Sequence, residues 1–224
     1  MKKHTIIKLI LITIISGVAT FSYLVYTCDL VKEEDLTRTS LDRTSWLLPR
    51  QWKKYNKEAR DTSDDTVTRV IYGDGSLKDN KSSSVLLISQ IKQQTSPTNA
   101  LPEYYETLRE SLLNEFDPSQ IRDELASAGN IGCKQKPSVN KSPDKSDTNG
   151  VVGLISATVS CPIEYSSFII KIRLVVGRND GIVRAISLSS AETTWKKNKA
   201  AFDKMLGSIS ANGSYAMETT IAQN

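Results

Sequence analysis

Polar and apolar residues alternate most strictly in two neighbouring stretches late in the chain. Ile155, Ala157, Val159 and Cys161 are separated by Ser156, Thr158 and Ser160, and Phe168, Ile170, Ile172, Leu174 and Val176 are interleaved with Lys171 and Arg173. A period of two is that of a strand with one face in a core and the other toward water. Gly177-Arg178-Asn179-Asp180-Gly181 predicts a hairpin turn, and Ile182–Leu188 the returning strand. Earlier, Trp46 and Leu48 share one face of an extended segment within Ser45–Trp52 that Pro49 ends. Asp61–Asp65 reads as a charged loop, Thr66–Tyr72 as a β-branched strand, and Gly73-Asp74-Gly75-Ser76 as a turn. Within Ser84–Ile91, the unbroken run Val85-Leu86-Leu87-Ile88 predicts a strand buried on both faces.

Helical spacing occurs in two places. Leu101, Tyr105, Leu108, Leu112 and Phe116 recur every three or four positions, with Pro102 suited to a first helical position. Asp117-Pro118 closes that helix and opens another, in which Ile121 and Leu125 face inward and Gly129-Asn130 is the stop. Ser189-Ser190-Ala191-Glu192 has the form of a capping box, and Trp195, Phe202, Met205, Leu206 and Ile209 form the buried stripe of one closing helix. Val31–Thr44 carries no sustained pattern and reads as a polar spacer, 29–44. Lys134–Gly150, rich in Lys, Ser, Pro, Asp and Asn, reads as a mobile loop, and 211–224 as a flexible tail. No internal repeat is present. These boundaries leave one domain, 45–210, of about 165 residues, enough for a substantial core.

One stretch belongs to no soluble domain. Leu9–Cys28 is uncharged, and about 20 residues at 1.5 Å per residue span a hydrocarbon core of about 30 Å. Lys2, Lys3 and Lys8 precede it, while Asp29, Glu33, Glu34 and Asp35 follow, so the basic N-terminus, 1–8, is expected in the cytoplasm and the remainder outside. Tyr23 and Tyr26 fall at the outer interface. Two alternatives stay open: signal cleavage after Gly17-Val18-Ala19, or lipidation of Cys28 in Val25-Tyr26-Thr27-Cys28. All three export the domain.

Charge follows from that topology. The chain has net charge +4, from 29 basic and 25 acidic residues; without the three leading lysines the balance is 26 against 25. Near-neutrality and export argue against nucleic acid, so the helix pair after Leu101 is read as structural rather than DNA-reading. Lysines cluster at Lys53, Lys54 and Lys57 and at Lys196, Lys197 and Lys199, a solvated face or a contact for anionic head groups.

The order of strands, helices, long loop, meander and closing helix resembles the PsbP-like superfamily, named for an extrinsic photosystem II subunit and including bacterial envelope lipoproteins. The resemblance covers about Ser45–Ile209 and rests on Pro49-Arg50-Gln51-Trp52 and on Phe202-Asp203-Lys204-Met205-Leu206-Gly207-Ser208-Ile209. Gln51 stands where the family usually has glycine. The resemblance implies an α+β fold, an antiparallel sheet flanked by α-helices, here preceded by one N-terminal transmembrane helix. It implies no ligand, since members differ in what they bind, and fold alone does not assign function.

The residues themselves point away from catalysis. The single histidine is His4, on the cytoplasmic side, so the exported part has no imidazole for a triad, a Cys-His pair or a histidine-ligated zinc. Cys133 and Cys161 are a disulfide candidate in an oxidising compartment, with two buried thiols as the alternative; closure would contribute about 3–4 kcal/mol. Cys28 is left over. Glu103, Glu106, Glu110, Asp123 and Glu124 lie on solvated helix faces, and Ser142-Pro143-Asp144-Lys145 matches Ser-x-x-Lys only by accident in a loop. Asp74, Asp79 and Asn80 are candidates to meet a cation, but Gly73-Asp74-Gly75 is first of all turn chemistry, and a calcium-loop pattern with a terminal glutamate is absent. Asn80-Lys81-Ser82, Asn140-Lys141-Ser142 and Asn212-Gly213-Ser214 are sequons, relevant only in a glycosylating host. The expectation is a membrane-anchored, noncatalytic binding or assembly module without a cofactor, its partner an unidentified envelope protein. An envelope hydrolase using paired carboxylates is the alternative.

Overall fold

The computed structural model describes residues 31–61, 65–74, 84–93, 102–115, 137–162 and 167–211. Leu9–Cys28, the helix expected from Asp117 to Asn130, Cys133, the sequons at Asn80 and Asn212 and the tail beyond Ala211 lie outside the described residues. Among the described residues no helix is long and apolar enough to cross a membrane.

The protein is mostly antiparallel sheet with few helices. The strands are β1 (Leu36–Leu41), β2 (Thr44–Pro49), β3 (Lys53–Asp61), β4 (Asp65–Gly73), β5 (Ser84–Gln93), β6 (Ser138–Pro143), β7 (Asp147–Thr148), β8 (Val151–Pro162), β9 (Ser167–Gly177) and β10 (Val183–Ala191). The helices are α1 (Pro102–Glu115), α2 (Glu192–Lys197) and α3 (Lys199–Gly207). β1 and β2 form a separate hairpin, and the others make an eight-stranded sheet in the order β3-β4-β5-β10-β9-β8-β6, with β7 also on β8. Two meanders, β3-β4-β5 and β8-β9-β10, thus join through the β5–β10 pair, in which Ile186 faces Ile88.

Apolar patterning decides what covers each face. β5 is central, and Val85, Leu86, Leu87 and Ile88 are all buried, as the unbroken run requires. On one face Tyr105 and Leu112 of α1 pack over Ile155, Val159, Ile170, Ile172 and Leu174. On the other, α2, α3, the β1–β2 hairpin and the turn that follows it place Trp46, Trp52, Trp195 and Phe202 over Val70, Leu86, Ile186 and Leu188. Phe202 meets Trp195 at 5.0 Å and Trp52 at 6.2 Å between ring centroids, both edge to face. Trp52 and Phe202, from the two stretches that carry the family resemblance, are therefore in contact.

Several expectations are corrected. Val31–Thr44 is not a bare spacer: β1 lies within it, Val31 and Leu41 are buried, and the domain's core begins before Ser45. Lys53–Asp61 is an edge strand, β3, and β4 begins at Asp65, so both ends of the expected loop Asp61–Asp65 belong to strands. The segment Lys134–Gly150 contains β6 and β7. Asn149 and Gly150 both have positive φ, 56° and 74°, the two-residue turn that an Asn-Gly pair favours between antiparallel strands. Ser189 and Ser190 do not cap a helix. They lie in β10, where the Ser190 hydroxyl pairs with that of Ser84 at 2.8 Å, and Ala191 precedes α2 without a side-chain cap. The closing helix is interrupted at Asn198, whose side-chain oxygen accepts the Val31 N–H at 2.7 Å.

One buried ion pair sits beneath the β1–β2 hairpin. The Arg184 side chain is fully enclosed; its guanidinium donates to both carboxylate oxygens of Asp180 (3.1 and 2.6 Å), to the Ile182 carbonyl (2.9 Å) and to the Thr44 hydroxyl (2.6 Å). A side chain at Gly177 would collide with both Asp180 and Arg184.

Candidate functional site

Where α2 and α3 stop covering the sheet, the β8–β9 surface turns polar. The antiparallel register sets Thr158 opposite Lys171 and Ser156 opposite Arg173, and on the far side of β8 it sets Asn140 opposite Thr158 and Ser142 opposite Ser156. Directly paired residues share a face, so two hydroxyl–cation pairs stand side by side next to α3. Between them and Asp203, Leu206 and Gly207 runs an open groove of about 320 Å³, near the lower end of small-molecule sites. A side chain at Gly207 would meet nothing, so the groove stays open at the end of α3.

Its charges are organised by ion pairs. Arg173 is mostly buried; its Nε donates to Asp144 at 2.6 Å, one terminal nitrogen to the Leu206 carbonyl at 3.1 Å and the other to the Ser146 hydroxyl. That one side chain ties β9 to the end of α3 and to the turn after β6. Gly153 permits it, because a Cβ there would strike the Asp144 carboxylate. Burial would raise the Asp144 pKa, but hydrogen bonds from Arg173 and Ser146, with the guanidinium charge, outweigh it and hold the carboxyl below its ordinary value. Asp203 is similar: burial opposes ionisation, yet Lys171 at 2.8 Å and Lys199 at 2.6 Å both donate to it and lower its pKa. The Lys171 ammonium also lies 4.7 Å from the centre of the Trp195 ring.

The residues singled out from sequence fall elsewhere or play other parts. Ser142 and Lys145 are exposed, and Asp144, between them, is committed to Arg173, so Ser142-Pro143-Asp144-Lys145 makes no nucleophile–lysine pair. Glu103, Glu106 and Glu110 are exposed on α1, where Glu106 pairs with the buried Arg109 at 2.7 Å. Asp74 accepts the Ser84 N–H at 3.2 Å, as a turn residue does, while Asp79 and Asn80 lie outside the described residues. Asp123 and Glu124 do as well. Cys161 is fully buried at the end of the β8 apolar face, and Cys133 lies outside the described residues. Among the described residues no three His, Cys, Asp or Glu side chains gather in a metal-binding group.

Sequence reading assigned no ion-pair role to Asp144, Asp203, Arg109 or Asp180. Asp203 had a usable signal, Lys199 four residues earlier on the same helix, and Asn149-Gly150 marked the turn that carries the Asp144 segment back to the sheet.

No protein-family model matches the chain, and no curated protein does. Solved structures similar to it include the following three. The solution structure of cyanobacterial PsbP from Synechocystis sp. PCC 6803 is 18% identical, over 83% of this chain and 97% of that one, with a TM-score of 0.43. A crystal structure from Bacteroides thetaiotaomicron VPI-5482 is 10% identical over 77% of this chain and 46% of that one, TM-score 0.40. LpqN, involved in cell envelope biogenesis of Mycobacterium tuberculosis, is 13% identical over 75% and 82%, TM-score 0.32.

Proposed function

We propose that the chain is a single-pass membrane protein with a cytoplasmic N-terminus, presenting a PsbP-like domain outside the membrane as a noncatalytic binding or assembly module. The β8–β9–α3 groove is its working surface and an envelope protein its partner. The observation that carries the noncatalytic reading is the state of the groove's carboxylates. A carboxylate hydrolase needs one carboxyl raised in pKa to act as general acid. Asp144 and Asp203 are both lowered, and each is bonded to a cation. The hydrolase reading requires one carboxyl of a pair to stand above its ordinary value.

The anchor rests on the uncharged run Leu9–Cys28 and its flanking lysines. Val31, three residues beyond Cys28, is held by Asn198, and Glu33 pairs with Lys204 at 2.9 Å. Three residues reach at most about 11 Å, so on this reading the α2–α3 end of the domain, with its groove, faces the membrane. A Cys133–Cys161 disulfide belongs to the same proposal. It is supported by the burial of Cys161 at the end of β8 and by the oxidising surroundings that an exported domain would meet.

Alkaline carbonate should leave the full-length chain in the membrane pellet, with its C-terminal domain open to protease from outside. A soluble chain beginning at Thr20 would replace the anchor with a cleaved signal, and a lipid on Cys28 would make it a lipoprotein. Single Asp and Glu substitutions should leave the cellular phenotype intact; its loss from one pair in a folded protein would establish the hydrolase. Cys133 and Cys161 should resist alkylation until reduced, and ready labelling of both would refute the disulfide.

A further inference from the structure

Among the described residues, the groove retains hydrogen-bond donors that the fold does not use. The Ser156 and Thr158 hydroxyls have no hydrogen-bond partner among the described residues. Lys171 has three N–H donors, of which Asp203 takes one, and its side chain is 26% exposed, so the ammonium still meets solvent in the groove. Arg173, in contrast, has every nitrogen engaged and supplies charge rather than a free donor. The open positions are therefore two hydroxyls and an ammonium, arranged beside one another by the β8–β9 register.

The charge count points the same way. Lys171, Arg173 and Lys199 are cations, Asp144 and Asp203 carboxylates, and all five belong to the ion pairs that bound the groove. Three positive against two negative charges leave one positive charge, which a single anionic group would neutralise. A cationic ligand would add to that excess. A sugar ring ordinarily needs an exposed aromatic platform, but Trp195 is buried, and the exposed large aromatic among the described residues, Tyr104, lies on α1.

We propose that the groove binds one oxyanion, a carboxylate or a phosphate group, with Lys171 as charged donor and Ser156 and Thr158 as hydroxyl donors. Ionised acceptors make the stronger hydrogen bonds, which is what a shallow site of this size requires. This deepens the reading of the chain as a binding module by naming the ligand's recognised group.

The test is amide NMR of the full-length chain in maltoside micelles, which carry no phosphate, titrated separately with inorganic phosphate, acetate and, as control, chloride. At least one oxyanion should give saturable shifts at Ser156, Thr158 and Gly207. Lys171→Gln and Thr158→Val should each weaken that binding about tenfold or more, as loss of one bond to a charged group implies. Lys171→Arg should largely restore it, and Lys32→Gln, on an exposed lysine outside the groove, should change nothing. Tighter binding of phosphate assigns a phosphoryl-bearing ligand, and tighter binding of acetate a carboxylate-bearing one. Shifts that fail to saturate, match those of chloride or survive both groove substitutions in well-dispersed spectra mean an adventitious ion only, and overturn the proposal. Those outcomes are independent of carbonate extraction and carboxylate scanning, so the site and the anchored-module reading fail separately.

Discussion

Removing the Asp180 carboxylate tests the most enclosed ion pair among the described residues. Arg184 is fully buried and makes four hydrogen bonds, two of them to Asp180. Asp180→Ala strips both and leaves a guanidinium with only the Ile182 carbonyl and the Thr44 hydroxyl, in a site sealed by β2. Bonds to charged groups contribute about 1.5–3 kcal/mol each, and breaking one side of a buried pair costs about 3–5 kcal/mol, since the remaining charge stays desolvated. The expected loss is about 3–5 kcal/mol, or roughly 6–20 °C in Tm for a protein of this size. All three tryptophans, Trp46, Trp52 and Trp195, lie in the layer above that face of the sheet, so fluorescence during urea unfolding of the full-length chain reports the affected region. Replacing the pair by Asp180→Ala with Arg184→Met should recover most of the loss, because the penalty belongs to the stranded charge and not to the missing bonds. A single variant within about 1 kcal/mol of the parent, or a double variant no better than the single one, would refute the reasoning.

The groove supplies an acid-sensitive contribution. Asp144 and Asp203 have folded-state pKa values below the ordinary 3.8, so their stabilisation is complete above that value and is lost as pH falls through the folded pKa. Asp144→Asn should flatten the acid limb of the urea midpoint below about pH 4; an unchanged limb would show that the Arg173 contact contributes nothing. Gly153→Ala should push Asp144 from Arg173 and cost about 1–3 kcal/mol. Gly207→Ala, with open space at its Cβ and a helical backbone, should be neutral or stabilising by up to about 1 kcal/mol. Equal denaturation midpoints for the two glycine variants would count against the close approach at Gly153.

Sequence alone determined the central strands. β5, β8, β9 and β10 are buried, so their side chains must alternate or run apolar whatever their partners, and that local requirement is visible without the fold. The stripe of Trp195, Phe202, Met205 and Leu206 was legible for the same reason, and so was α1. What only the tertiary structure decided lies at the margins. β1, β3 and β6 have at most one ladder neighbour each, so solvent takes the other side and their sequences remain polar. Val31–Thr44 and Lys134–Gly150 accordingly carry no hydrophobic period, although both contain strands. The groove is decided even less locally. Arg173 reaches Asp144, 29 residues earlier, and Lys171 reaches Asp203, 32 residues later. Charged residues of these types are common on any surface. Which carboxylate a given cation meets depends on the bulge at Gly153, the turn at Asn149-Gly150 and the end of α3, and so on contacts that exist only once the sheet has closed.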